Sequence, residues 1–163
     1  MSIRETAFFD LEDELNATRH VLERLPDGRF DWRPHERSWT LGELATHVAS
    51  LPWWMLVILD DDGFDVGAGQ SPETRTDADA VIEFFDANAA ALRDAFARAT
   101  DEILRGPWQL RHGESVIFEL SKSVVLRRWG LSHLVHHRAQ LTVYLRQLDV
   151  PLPPLYGPTA DEQ

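Results

Sequence analysis

Apolar residues recur at three- and four-residue spacings through four long stretches of the chain, which predicts four helices. The first runs from Ile3 to Leu25, with Ile3, Phe8, Leu11, Leu15, Leu22 and Leu25 on its apolar stripe. Pro26-Asp27-Gly28 ends it in a turn. The second begins near Thr40, with Ser38 or Thr40 as N-cap and Thr40 and Glu43 at capping-box spacing. Its inward stripe is Leu44, Val48, Leu51, Met55 and Ile58. The third spans about Asp77 to Thr100, packing through Val81, Phe84, Phe85, Leu92 and Phe96, with Asp77 and Asp79 at the positive end of its dipole. The fourth and longest runs from Ser121 to Leu148, where Val150-Pro151 and Pro153-Pro154 stop it.

The connections are polar and irregular. Between Phe30 and Ser38, Pro34 blocks helix propagation and pushes Arg33 towards an extended conformation. From Asp60 to Thr76 an acidic, glycine-containing loop is expected; it lacks the ligand alternation and distal glutamate of an EF-hand. Gly106 to Leu120 reads either as a short hairpin around Gly113 or as a structured loop over the open end of a helical bundle. With no repeat and no linker, residues 1–163 are expected to form one predominantly helical domain.

Composition narrows the function classes. The formal charge of −11 argues against nucleic-acid binding, which needs Lys and Arg to neutralise phosphates. No uninterrupted apolar run approaches the ~20 residues of a membrane span, and the amino terminus shows no signal-peptide core, so a cytoplasmic protein is expected. The absence of cysteine excludes disulfides, thiolate metal ligands and a protein-borne thiol nucleophile. His, Asp and Glu remain as candidate ligands.

The fourth helix carries the most informative chemistry. At about 100° per residue, Leu126, His133, His137, Tyr144 and Leu148 share an arc roughly 60° wide, with Trp129, Gln140 and Leu141 near its edges. That arc is expected to face the core. Two imidazoles one turn apart can converge on one ion, or each can be a core residue satisfied by a hydrogen bond. On the second helix His47 lies about 50° from the centre of the apolar stripe, where it is either a structural residue or a third nitrogen for the later pair. A kink at Pro52 would open space beside it. His20 reads as structural, His112 as exposed, and His136 falls on the flank of its helix; Glu43 already has a capping role.

The run His133-x-x-His136-His137-Arg138-Ala139-Gln140-Leu141-x-Val143-Tyr144-Leu145-Arg146, with Val150-Pro151 and Tyr156-Gly157-Pro158-Thr159-Ala160-Asp161-Glu162 after it, resembles the DinB/YfiT-like family. Pro34-His35-Glu36-Arg37-Ser38 and Leu41-Gly42-Glu43-Leu44-Ala45-x-His47-Val48-Ala49-x-Leu51-Pro52-x-Trp54 look like the same family's second-helix region. The resemblance implies an all-α fold, a four-helix bundle holding one divalent metal ion on His47, His133 and His137. The family's usual Gly before the Gln is Ala139 here.

Three imidazoles leave a coordination position for water or substrate, and imidazole suits both Zn2+ and Ni2+. Gln140 can orient a ligand or substrate, or bond helix backbone. Leu134 stands where a zincin has its general-base Glu, so no such protease is expected. Two function classes follow. The first is a metalloenzyme that activates a low-molecular-weight thiol, as S-transferases of the superfamily do, or water for hydrolysis. The second is a non-catalytic metal- or ligand-binding stress-response protein. Trp54 and Trp129 are candidate apolar walls, and Arg128 and Arg138 are candidates to draw in an anionic thiol. Small-molecule substrates are the expected partners, with a homodimer as the assembly the family suggests.

Overall fold

The computed structural model describes residues 1–69 and 72–162, and in it the first predicted helix is two. α1 (Ile3–Ala7) opens on a Ser2/Glu5 capping box, and α2 (Leu11–Leu22) follows a break at Phe8, where φ is −137° and ψ 27°. Tertiary contacts impose the break. Phe8 turns inward to meet Phe96 edge-on at 5.4 Å, and Arg127 donates to the Ala7 carbonyl and the Asp10 carboxylate. Local periodicity carries no trace of either contact.

α3 (Leu41–Asp60) starts on the Thr40/Glu43 capping box and continues through Pro52. Asn88 donates to the Ala49 carbonyl, whose helical partner would lie one residue beyond Pro52. By length and composition α3 could cross a membrane, but 67% of its most apolar window is buried inside the protein. α4 (Ala78–Arg98) is capped by Asp77, and a short α5 (Asp101–Arg105) follows from a Thr100 cap. α3 packs against α4 and α7 (Ser132–Gln147), and α2 packs against the same two, so α2 and α3 lie on a diagonal of a four-helix bundle. Leu15, Leu22, Leu44, Val48, Phe85, Leu92, Leu134 and Leu141 fill its centre.

Of the two readings for Gly106 to Leu120, the structure shows the hairpin, and it belongs to a three-stranded sheet. β1 (Gly63–Asp65) pairs in parallel with β2 (Pro107–His112), which pairs antiparallel with β3 (Ser115–Ser121) across a turn where Gly113 has φ 59°. β1 and the 3-10 turn after it (Val66–Ala68) replace part of the expected acidic loop; residues 70 and 71 of that loop lie outside the described residues. Three residues are too few to show an alternation, which is why the strand escapes a periodicity reading. Lys122 ties the sheet's end to the bundle, donating from Nζ to the Leu59 carbonyl in the last turn of α3 at 2.8 Å.

The fourth predicted helix starts as α6 (Lys122–Val125), widens into a π-helical turn over Leu126–Leu131, and continues as α7. A π turn takes up about one extra residue. Leu126 therefore comes into phase with Leu134 rather than with His133, and the buried face of α7 is Leu134, Arg138, Leu141 and Leu145. The arc expected to face the core is rotated off it. His133 and His137 sit half-buried on the neighbouring face instead.

Gly130 lies inside the π turn, where a Cβ would come within 2.6 Å of Met55 Cγ and 3.0 Å of its sulfur. Met55 is itself 2% exposed and has little room to move. Gly130→Ala is expected to destabilise the protein by about 1–3 kcal/mol through this overpacking. A urea midpoint equal to that of the parent would show that the turn gives way without cost.

Candidate metal centre

The site is assembled from two helices and one strap of irregular chain. The Thr40 cap sets the start and phase of α3, which places His47 two turns in, on the side facing α7. The π turn sets the phase of α7, which places His133 and His137 one above the other towards His47. The three Nε2 atoms meet at one point. His133 Nε2 lies 2.8 Å from His137 Nε2 and 3.3 Å from His47 Nε2.

The opposite ring nitrogens explain that convergence. His133 Nδ1 lies 3.2 Å from the Trp129 carbonyl, an obligate acceptor, so its proton sits on Nδ1. The Trp129 carbonyl belongs to the π turn. His137 Nδ1 pairs with Gln140 Oε1 at 2.7 Å, one turn on along α7. Both rings are thereby oriented with Nε2 lone pairs turned inward, as bonded outer partners orient histidines at metal sites. Burial lowers the pKa of all three rings. His47 is pushed down to about 4, first by burial and then by His137 and His133. His133 and His137 are lowered by burial, against the raising effect of their Trp129 and Gln140 bonds.

The His133 and His137 Nε2 lone pairs, on atoms 2.8 Å apart, repel each other unless a cation or a donor lies between them. The three imidazole nitrogens form a group that could hold a metal ion. His136 is exposed and points elsewhere on α7, with its ring beside that of His137. His20 and His112 are exposed and not part of the group of three, and Glu43 is held in its capping box.

The strap before α3 contributes what residue spacing could not show. Trp39 stacks on His137 at 5.6 Å and meets His47 edge-on at 5.0 Å. Tyr144 of α7 donates to the Trp39 carbonyl and packs against Trp32, which clamps the strap to the helix bearing the histidines. Two depressions adjoin the group. One, of about 190 Å³, is lined by His47, Ser50, Leu51, Trp53, Trp54, Phe64, Val66, Pro72 and His133. The other, of about 260 Å³, is lined by Arg37, Ser38, Trp39, Leu44, His137, Gln140 and Tyr144. Trp54 lines the apolar hollow and also packs against the core, whereas Trp129 stacks on Phe118 at 4.4 Å with Arg128 over its ring. Arg138 is 1% exposed and committed to Glu14, so it cannot greet a ligand.

The depressed pKa of His47 has a consequence for chelator-treated protein. Between the ordinary histidine value of about 6.5 and the folded value of about 4, the unfolded chain binds a proton that the folded chain refuses. Stability should therefore fall as pH drops through that window and level off below it. His47→Gln should flatten the slope of urea midpoint against pH. An unchanged slope would assign the acid sensitivity to other groups.

A sequence model of the DinB family matches residues 4–163. The uncharacterized protein YrdA of Bacillus subtilis strain 168 is 26% identical over 152 residues, covering 93% of this chain and 86% of YrdA. The fold recurs in the crystal structure of a DinB-like protein from Bacillus cereus ATCC 10987, with TM-score 0.69, 22% identity and 93% and 97% of the two chains covered. It recurs in the DinB-like protein YjoA of Bacillus subtilis, with TM-score 0.70, 19% identity and 94% and 99% covered. A family match over nearly the whole length, on a bundle of this architecture with three histidines gathered between α3 and α7, places the chain in the DinB family.

Proposed function

We propose that His47, His133 and His137 hold one divalent ion, Zn2+ or Ni2+, and that the protein is an enzyme bringing a low-molecular-weight thiol to a small electrophile. The observation that carries this reading is the meeting of three Nε2 atoms, with the His133 and His137 rings oriented from behind, beside two solvent-reachable depressions. An ion held by three imidazoles keeps a position at which water or a thiol becomes acidic near neutral pH. The sulfur must come from outside, because the chain has no cysteine.

The chain's own residues divide the remaining work. Trp129 and Gln140 hold the His133 and His137 protons on Nδ1, which keeps Nε2 available. Trp39, stacked on His137 and edge-on to His47, limits the approach of bulk water from that side. Leu51, Trp53, Trp54 and Phe64 offer an apolar bed for the hydrocarbon part of an electrophile.

The test is conjugation of a generic electrophile with glutathione, cysteine, bacillithiol or mycothiol, comparing metal-loaded parent with His137→Ala. Acceleration by the parent with at least one thiol, lost in the variant, is expected. Equal rates with every thiol would end the transferase reading, and hydrolysis or plain binding would take its place.

A further inference from the structure

The two depressions beside the histidines differ in chemistry and share no lining residue. Apart from the histidines and the Ser50 hydroxyl, the first is apolar, and Ser50 Oγ already donates to the His47 carbonyl at 2.8 Å. A carboxylate placed there would lose its hydration with nothing to replace it.

The second is a donor surface. Arg37 and His137 are its titratable groups, apart from the tyrosine, and no carboxylate lines it, in a chain with a formal charge of −11. Among the described residues the Arg37 side chain forms no ion pair, so its guanidinium is not committed to a carboxylate of the chain as those of Arg127 and Arg138 are; Arg128, Arg75 and several other arginines are likewise unpaired. The backbone that presents it is held in place. The Arg37 N–H donates to His35 Nδ1 at 3.1 Å, and the Ser38 N–H donates to the His35 carbonyl at 2.9 Å. Gln140 gives its Oε1 to His137, which leaves its amide N–H groups to face a ligand. A guanidinium, an amide and the Ser38 hydroxyl around one hollow match the acceptors of a carboxylate. Glu43, near the start of α3, is occupied by the Thr40 cap, and Glu36, which precedes Arg37 in the strap, does not line the hollow.

We propose that Arg37, Gln140 and Ser38 receive a carboxylate of the small molecule brought to the three histidines, so that an anionic co-substrate enters on the Trp39 side and its apolar partner on the Trp54 side. This rests on the reading of the group as a metal centre for small molecules, and it makes Arg37 a specificity determinant distinct from the metal ligands.

The experiment is calorimetric titration of zinc-loaded parent and Arg37→Gln, after confirming equal metal content and equal melting temperature. Three probes separate the terms: 3-mercaptopropionate has thiol and carboxylate, 2-mercaptoethanol has only the thiol, and glutarate has only carboxylates. The parent should prefer 3-mercaptopropionate to 2-mercaptoethanol, and Arg37→Gln should weaken 3-mercaptopropionate and glutarate by roughly fivefold while leaving 2-mercaptoethanol unchanged, a size suited to a partly solvated ion pair. Glutarate binding that depends on Arg37, with no thiol bound, would uphold the carboxylate site and overturn the thiol reading. Binding of every probe that is indifferent to Arg37→Gln would overturn the carboxylate site, whatever the fate of the thiol.

Discussion

Glu14→Ala is expected to destabilise the protein by about 3–5 kcal/mol, because it strands a guanidinium in the core. Arg138 is 1% exposed, and its Nη2 lies 2.5 Å from Glu14 Oε2. The Glu14 carbonyl accepts from Arg138 Nη1 at 3.0 Å, and the Tyr156 hydroxyl bonds both the carboxylate and the guanidinium. The carboxylate therefore ties together α2, α7 and the tail beyond α7. Removing it leaves a charge with only neutral acceptors. Glu14→Leu/Arg138→Met should recover most of the loss, since an apolar pair of similar volume needs no compensation. A single variant within 1 kcal/mol of the parent in urea denaturation would show that water reaches Arg138 and satisfies it. Arg138 directly follows His137, so this pair also fixes the rotation of α7 that aims the histidines at α3. The single variant should bind the divalent ion more weakly as well.

That same pair marks where the sequence is hardest to read. A charged residue at 138 suggests a solvated face, and excluding it from the core makes His133, His137 and Tyr144 look like the buried stripe. In the structure Arg138 lies on the buried face with Leu134, Leu141 and Leu145, because Glu14 comes from a helix more than a hundred residues earlier to neutralise it. The π turn compounds the error, since counting 100° per residue across Leu126–Leu131 accumulates one residue too many. The histidines survive the misreading because they lie after the turn. Their mutual spacing of one helical turn depends only on α7 itself.

Helix starts were legible where a side chain closes on its own neighbourhood, as at Thr40 with Glu43 and at Asp77. The break at Phe8, the strand β1 and the short α5 were not, because partners distant in sequence or very few residues define them. The same division runs through the site. His47, His133, His137 and Gln140 could be named from helical phase and family resemblance. Trp39 and Arg37 could not, since they stand in an irregular strap whose path is set by Tyr144 and Trp32 rather than by any period. A tryptophan next to a helix cap was the only available signal.

Removal of the metal is expected to lower the melting temperature of the parent by roughly 10 °C. An ion bound a thousandfold above its dissociation constant adds about 4 kcal/mol to the folded state alone, and a chain of this size shifts by about 2–4 °C per kcal/mol. The leverage is structural, because the ion would join α3 to α7, the two helices that bring His47 to His133 and His137. His47→Ala, His133→Ala and His137→Ala should each lack stoichiometric metal by elemental analysis of protein purified without a histidine tag. His136→Ala, altered at an exposed position beside the group, should retain it. Chelator should then lower the melting temperature of the parent and of His136→Ala, and leave that of His133→Ala unmoved. Full metal content in any of the three alanine variants would remove that residue from the site. Equal chelator shifts in the parent and His133→Ala would place the stabilising ion elsewhere in the protein.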